Sequence, residues 1–324
     1  MTFLESCAKM TSLIDFSYTG HESFPLRISW LPKAVAALEA GIDPFSAPRE
    51  GMTHLGLGKN MIQSLAYWVV VTKLAEKTTD GLTLTGFAEQ TLSRKTGSDP
   101  YLENTQTLWL LHWNLCQGWQ EADRPRRPYA WHYYANLLAD DELTPSSTIE
   151  RYTAGPLSRS TGKELSFSTL RQHFEIFVKT YVAGAAKGAR STPEDALDSP
   201  LTTLGLIKES GDRKMVNGKR ETVYRVNNAA KPTISKETFR HCLHEWWTTK
   251  FPKEETLTVR QITSEEDSPG RCFRLPEGAV HEMLTILSNS FPREFKSSET
   301  RQQRTVSRSS KPRATTTLKA IFHP

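Results

Sequence analysis

The sequence predicts an α+β chain, mainly helical and multidomain, with winged helix-turn-helix-like units. Three observations predict it. The segment His54–Val71 opens through two glycines into a helix on which Met61, Leu65, Trp68 and Thr72 recur at i, i+4, i+7 and i+11, with Ile62, Val69 and Leu74 widening the stripe. After a polar gap, GLTLTGFAEQTL (Gly81–Leu92) reads as a short strand and then a helix. Further along, helical stripes alternate with short strand-like runs, and no internal repeat recurs at a fixed period.

The elements follow in order. Pro32–Ala40 is a short helix ending at Gly41, with Val35 and Leu38 inward, and DPFSAP (Asp43–Pro48) is a turn. Asp99–Leu115 starts as a turn and becomes a strongly apolar helix around Leu108, Trp109, Leu111 and Leu115, expected to close a first domain. Residues 117–130 are rich in Pro and Arg and read as an exposed connection. Trp131–Leu138 and Phe167–Ala183 are helical by period, the second burying Leu170, Phe174, Phe177, Val178 and Tyr181. Asp195–Glu209 and Glu221–Val226 read as a short helix and a hairpin across the basic turn GDRKMVNGKR. A helix Thr238–Thr248, a strand Arg271–Leu275, a helix Glu277–Ser288 and a basic strand Arg301–Arg308 make a third unit. From Ser309 the tail is basic and expected to be mobile despite the apolar patch Leu318–Phe322. The expected boundaries are 1–118, 119–230, 231–308 and 309–324.

Composition narrows the classes. At 324 residues the chain has room for two or three domains of about 100–200 residues, and 37% hydrophobic residues with eight Trp are enough to bury real cores. The net charge of +5 is uneven: residues 1–150 hold 12 Lys+Arg against 17 Asp+Glu, whereas residues 293–324 hold 8 against 2. That basic C-terminal half suits a polyanion. Four scattered cysteines without a CxxC pair argue against a disulfide framework and for the cytosol. No apolar run has signal or membrane length, so a cytoplasmic protein without a membrane partner is expected.

The residues that carry chemistry point to DNA. Opposite the apolar stripe, Lys59, Asn60, Gln63, Ser64 and Tyr67 share one helix face, expected to be exposed. Asn and Gln can bond adenine bidentately, and Lys can take guanine or phosphate. Gly56 and Gly58 leave the helix N-terminus open to a phosphate. Arg27 could clamp a phosphate, and Arg213, Lys214, Lys219 and Arg220 in the wing-like turn could lie on the backbone. Several motifs fail. Gly-Leu-Gly-Lys-Asn (Gly56–Asn60) is no Walker A loop, since Thr53 and Asn60 stand where Gly and Ser/Thr are required, so no nucleotide cofactor is expected. His281-Glu282 lacks its second histidine at Thr285, and His241 with His244 has no second ligand pair and reads as packing beside Trp246 and Trp247. A nuclease would need a carboxylate-held Mg²⁺ or Mn²⁺; the best group is His21 and Glu22 with Asp15 nearby, and two adjacent residues reach one metal only from a loop.

Four segments, GHESFPLRISWLPKAV (Gly20–Val35), LGLGKNMIQSLAYW (Leu55–Trp68), DPYLENTQTLWLLHW (Asp99–Trp113) and SPGRCFRL (Ser268–Leu275), together resemble a bacterial domain-of-unknown-function family encoded beside DNA phosphorothioation genes. That family includes the B component of the single-stranded (Ssp) system. The resemblance implies a phage-defence protein that acts on DNA, with nicking of one strand to admit sulfur. It also implies three partners: a cysteine desulfurase, an ATP-pyrophosphatase-like sulfur-activating enzyme and an ATPase. Two other readings remain open: a non-catalytic adaptor that recruits the sulfur-activating enzyme, and a transcriptional regulator.

Overall fold

Turn chemistry at the N-terminal end sets three helices in sequence. The computed structural model describes residues 14–121, 124–155, 165–184, 199–300, 303–309 and 314–323. Helix α1 (Trp30–Glu39) is followed by α2 (Pro48–Leu55), which starts on a proline and stops at left-handed Gly56, φ 66°. Helix α3 (Lys59–Val71) begins one residue after N-cap Gly58. Strands β2 (Ala75–Thr78) and β3 (Gly81–Leu84) pair antiparallel, and α4 (Gly86–Thr91) starts where Thr85 Oγ1 accepts from the Ala88 N–H at 3.2 Å. The predicted stripe holds: Leu65, Trp68 and Thr72 are fully buried.

Helix α5 (Thr105–Gln117) is buried on every side from Thr107 to Cys116. It lies against α9 (Lys236–Lys250) and the strand segment Arg124–Pro128, so it is a central element. The expected exposed connection at 117–130 is corrected here. Strands β4 (Trp119–Glu121) and β5 (Arg124–Pro128) form a three-stranded sheet with β1 (Asp15–Ser17), in the order β1–β5–β4 with β1 and β5 parallel. The arginines misled because carboxylates receive them: Arg126 meets Asp15 and Glu121, and Arg127 meets Asp267.

Helix α6 (Tyr129–His132) continues into a π-helical turn (Tyr133–Leu137). Strand β6 (Glu142–Leu143), α7 (Pro145–Thr153) and α8 (Phe167–Tyr181) follow, and the predicted stripe of α8 is buried throughout. After a 3₁₀ turn (Pro200–Leu204), β7 (Ile207–Val216) and β8 (Lys219–Val226) extend far into the expected basic loop and turn in two residues, Asn217-Gly218. The helix expected at Asp195 falls largely outside the described residues. Beyond α9 come β9 (Thr256–Thr258), α10 (Val259–Ser264), α11 (Pro269–Cys272), α12 (Glu277–Ser290), β10 (Phe295–Glu299) and β11 (Arg304–Arg308), with sheet order β10–β11–β9. Two expectations fail in this stretch. Arg271–Leu275 is not a strand, because Ser268 Oγ caps the Arg271 N–H at 3.3 Å and Pro269 starts a helical turn. The described part of the tail forms a seated helix. Helix α13 (Ala314–Phe322) packs on α9 and α4, burying Leu318 and Ile321 three residues apart.

The buried side chains form one connected cluster from Phe16 to Ile321. Cys116, Cys242 and Cys272 are free and buried. Among the described residues, no helix is long and apolar enough to cross a membrane. Because α13 ties the C-terminal end to that cluster, Leu318→Ala should cost about 2–5 kcal/mol in urea unfolding. A loss below about 0.5 kcal/mol, the scale of surface substitutions, would show that the helix is not seated there.

Candidate nucleic-acid interface

The start of α3 is open to solvent: Lys59, Asn60 and Gln63 are exposed as predicted. The rest of the expected face is not. Ser64 is fully buried and donates to the Phe24 carbonyl at 3.4 Å, beside the Trp68 indole N–H at 3.1 Å. Tyr67 is half-buried under residues 18–24, which cross the helix at that level. Gly20 makes this possible. It has φ 106°, and a Cβ there would stand 2.6 Å from the Tyr67 ring. Arg27 is also withdrawn, 3% exposed and stacked 5.1 Å from the Trp30 ring, so it cannot clamp a phosphate at the surface.

The same loop separates the nominated catalytic residues. Glu22 and Ser23 both adopt positive φ (47° and 67°), and Phe24 N–H closes the turn on the His21 carbonyl at 2.8 Å. The turn sends His21 inward and Glu22 outward. His21 stacks on His173, ring centroids 5.5 Å apart and 16° from parallel. The Ala130 N–H donates to His173 Nε2 at 3.0 Å, which leaves the His173 proton on Nδ1, 3.4 Å from His21 Nε2. His21 Nδ1 then faces the Tyr18 backbone at the limit of hydrogen-bond geometry. Both nitrogens of His21 are thus directed into the protein, and burial pulls its pKa down to about 4. Asp15 is spent as well, its carboxylate 3.2 Å from Arg126 Nε across the β1–β5 pair. The three residues therefore do not converge on a metal.

What the fold does assemble is a cleft of about 460 Å³ between residues 17–22, α3 and β4–β5. Gln63, Glu22, Tyr67, Trp119 and Phe45 line it, with Lys77, Glu121 and Arg126. Glu121 takes both Lys77 and Arg126; burial alone would raise its pKa, but those hydrogen bonds outweigh it and hold the carboxyl below its usual range. Arg126 also lies 5.4 Å over the Trp119 ring. Glu22 has no ion pair among the described residues. Trp119, Glu121 and Arg126 were hidden from sequence reading by the prolines of residues 117–130, and only the strand-like Trp119–Glu121 alternation could have disclosed them.

One group of described residues has metal-ligand proximity: His132, Glu266 and Asp267, with ligand atoms within 4.8 Å of one another. It does not fit a resident divalent ion. Asp267 already holds Arg127 and Asn136, Glu266 holds Lys250 at 3.0 Å, and His132 meets Asn136 at 3.2 Å. Two carboxylates and two cations already balance, so a divalent ion would add uncompensated charge. His241 and His244 are buried and join no such group among the described residues. On the β7–β8 hairpin, Arg213, Lys214, Lys219 and Arg220 are all exposed; Lys214 pairs with Glu142 and Arg213 with Glu209, leaving Lys219 and Arg220 outside these pairs.

Proteins of unknown function grouped as DUF4007 match this sequence over residues 18–322. The chain belongs to the DUF4007 family. Its fold is that of SspB: a magnesium-ion-bound SspB crystal structure superposes with a TM-score of 0.81 at 23% identity, covering 97% of this chain and 90% of that one. A second SspB crystal structure gives 0.79 at 22% identity over the same shares. No protein of curated function matches the sequence.

The buried histidines of this DUF4007 chain generate a pH prediction. Burial lowers the pKa of His21 to about 4; for His132 burial, with Arg127 adding, does the same, and burial holds His173 well below the ordinary histidine value. The unfolded chain binds these protons near pH 6.5 and the native state does not, so their stability contribution is complete above that pH and lost on descent toward 4. Each of the first two is worth up to about 3 kcal/mol. Urea midpoints should fall between pH 6.5 and 5, before carboxylates titrate; a flat profile would contradict neutral buried imidazoles.

Proposed function

We propose that the protein is a DNA-binding component of a DNA phosphorothioation and phage-defence system, and that it nicks one strand so that sulfur can be incorporated. The observation that carries the reading is the exposed face of Lys59, Asn60 and Gln63 at the start of the third helix in a helix–helix–helix–hairpin unit. That order is the order of a winged helix, with α3 in the recognition position and β2–β3 as the wing. Recognition helices put their N-terminal residues against base edges, and these three side chains occupy the first turn and a half of α3. Asn60 and Gln63 would read adenine edges, while Lys59 and the uncapped N–H groups after Gly58 would hold a phosphate. The DUF4007 family and the SspB fold support the phosphorothioation reading, and we propose the desulfurase, the sulfur-activating enzyme and the ATPase as its partners.

The nicking step is supported by the magnesium-bound form of SspB and by Glu22, the nominated carboxylate that remains exposed on the cleft bordered by Gln63. The burial of His21 and the pairing of Asp15 favour a second reading, a non-catalytic adaptor for the sulfur-activating enzyme. Supercoiled plasmid incubated with Mg²⁺, Mn²⁺ or EDTA, beside a salt-titrated gel shift, separates the two. Lys59→Ala with Gln63→Ala should weaken the shift by about tenfold or more. Glu22→Gln should spare the shift and abolish metal-dependent open-circle product. A shift without nicking assigns the adaptor role, and no shift at any salt removes DNA from the reading.

A further inference from the structure

We propose that the cleft between residues 17–22, α3 and β4–β5 receives one unstacked nucleobase of the bound DNA. The proposal rests on the DNA-binding reading and adds a ligand to it. At about 460 Å³ the cleft lies within the roughly 300–1,000 Å³ range of small-ligand sites. Its walls are aromatic: Tyr67 and Trp119 meet edge to face, centroids 6.5 Å apart at 84°, and Phe45 also lines the space. Those walls carry buried polar atoms that no described residue satisfies. Among the described residues, the indole N–H of Trp119, a residue only 9% exposed, has no acceptor, and the buried Tyr67 hydroxyl has no partner. Such groups are costly unless something bonds them, and both residues line the cleft.

The donor set selects the ligand class. An indole N–H only donates, a phenol donates or accepts, and the Gln63 amide at the edge does both. Flat π-surfaces on residues that also carry donors fit a base that offers ring carbonyls, the pattern by which extruded bases are held. Position agrees with this. Gln63 belongs both to the exposed start of α3 and to the lining of the cleft, so a base leaving the stack opposite that face would have a short path inward. Arg126 and Lys77 are tied to Glu121 and would frame the base while leaving its edge to Trp119 and Tyr67.

The test uses the full chain and single strands of about 12 nucleotides, within the site sizes typical of such binding: oligothymidine, oligodeoxyadenosine and an abasic strand of equal charge, compared by fluorescence anisotropy. Oligothymidine should bind about tenfold tighter than the abasic strand, with oligodeoxyadenosine between them. Trp119→Phe keeps an aromatic ring, though a smaller one, and removes the N–H, and should shrink that ratio severalfold. Tyr67→Phe should do the same, and it serves if the first variant is destabilised. Lys59→Ala should weaken all three strands alike. Equal binding of all strands by the wild type, or a base preference unmoved by both variants, would overturn the cleft while leaving DNA binding intact. Failure to bind any strand would overturn the DNA-binding reading, and this proposal with it.

Discussion

Helix α5 governs how the rest of the molecule is arranged, because it is buried along nearly its whole length while carrying polar side chains. An unpaired polar group in such a place costs on the order of 1–3 kcal/mol, and neighbours supply partners to three of its polar side chains. His112 sits between the Tyr181 hydroxyl at 2.6 Å and the Cys272 carbonyl at 2.8 Å. Trp113 donates to Glu245 at 2.6 Å and Asn114 to the Thr72 carbonyl at 3.0 Å. These bonds reach α8, the α11 turn, α9 and the end of α3. One helix therefore fixes four distant stretches of chain by polar contacts that tolerate little displacement, within the apolar packing that supplies the bulk of the stability.

The cleft follows from that arrangement. With Thr72 held by Asn114, α3 has a fixed axis, and the loop at residues 18–24 is laid over it by the two hydrogen bonds into the Phe24 carbonyl. Below the loop, the Asp15–Arg126–Glu121–Lys77 chain of opposite charges locks β1, β5, β4 and β2 together. Each ion pair alone contributes little where water reaches it. As a chain it places Arg126 over Trp119 and so sets the wall of the cavity.

Legibility in the sequence divides along physical lines. Periodic apolar stripes were readable wherever one helix face meets the core, as in α3 and α8, and the start of α3 was correctly expected to be exposed. Three features were not. Tyr67 and Ser64 are covered by a loop forty-odd residues away in sequence, and no local pattern reports a non-local cover. Residues 124–128 look solvated by composition, yet their arginines meet carboxylates from three separate segments. Likewise, Leu318 and Ile321 give too short a stripe to predict a helix without the α9 surface that receives them. Of the nominated catalytic group, geometry leaves only Glu22 facing solvent.

Charge then divides the labour of DNA binding on the proposed reading. Residues 1–150 carry five more acidic than basic residues, so their overall field opposes a polyanion. Over more than a Debye length of about 8–10 Å, however, salt screens that field, and the groups adjoining α3 decide the local encounter. The β7–β8 hairpin brings cations of its own, but Arg213 and Lys214 are already paired, and a phosphate must displace Glu209 or Glu142 to reach them. Lys219 and Arg220 face no such exchange. Phosphate contact there would release counterions in full, whereas contact through Arg213 and Lys214 would mostly swap one anion for another. Backbone affinity would thus come chiefly from two side chains at a hairpin tip, and sequence or base discrimination from the opposite end of the chain, where α3 adjoins the cleft.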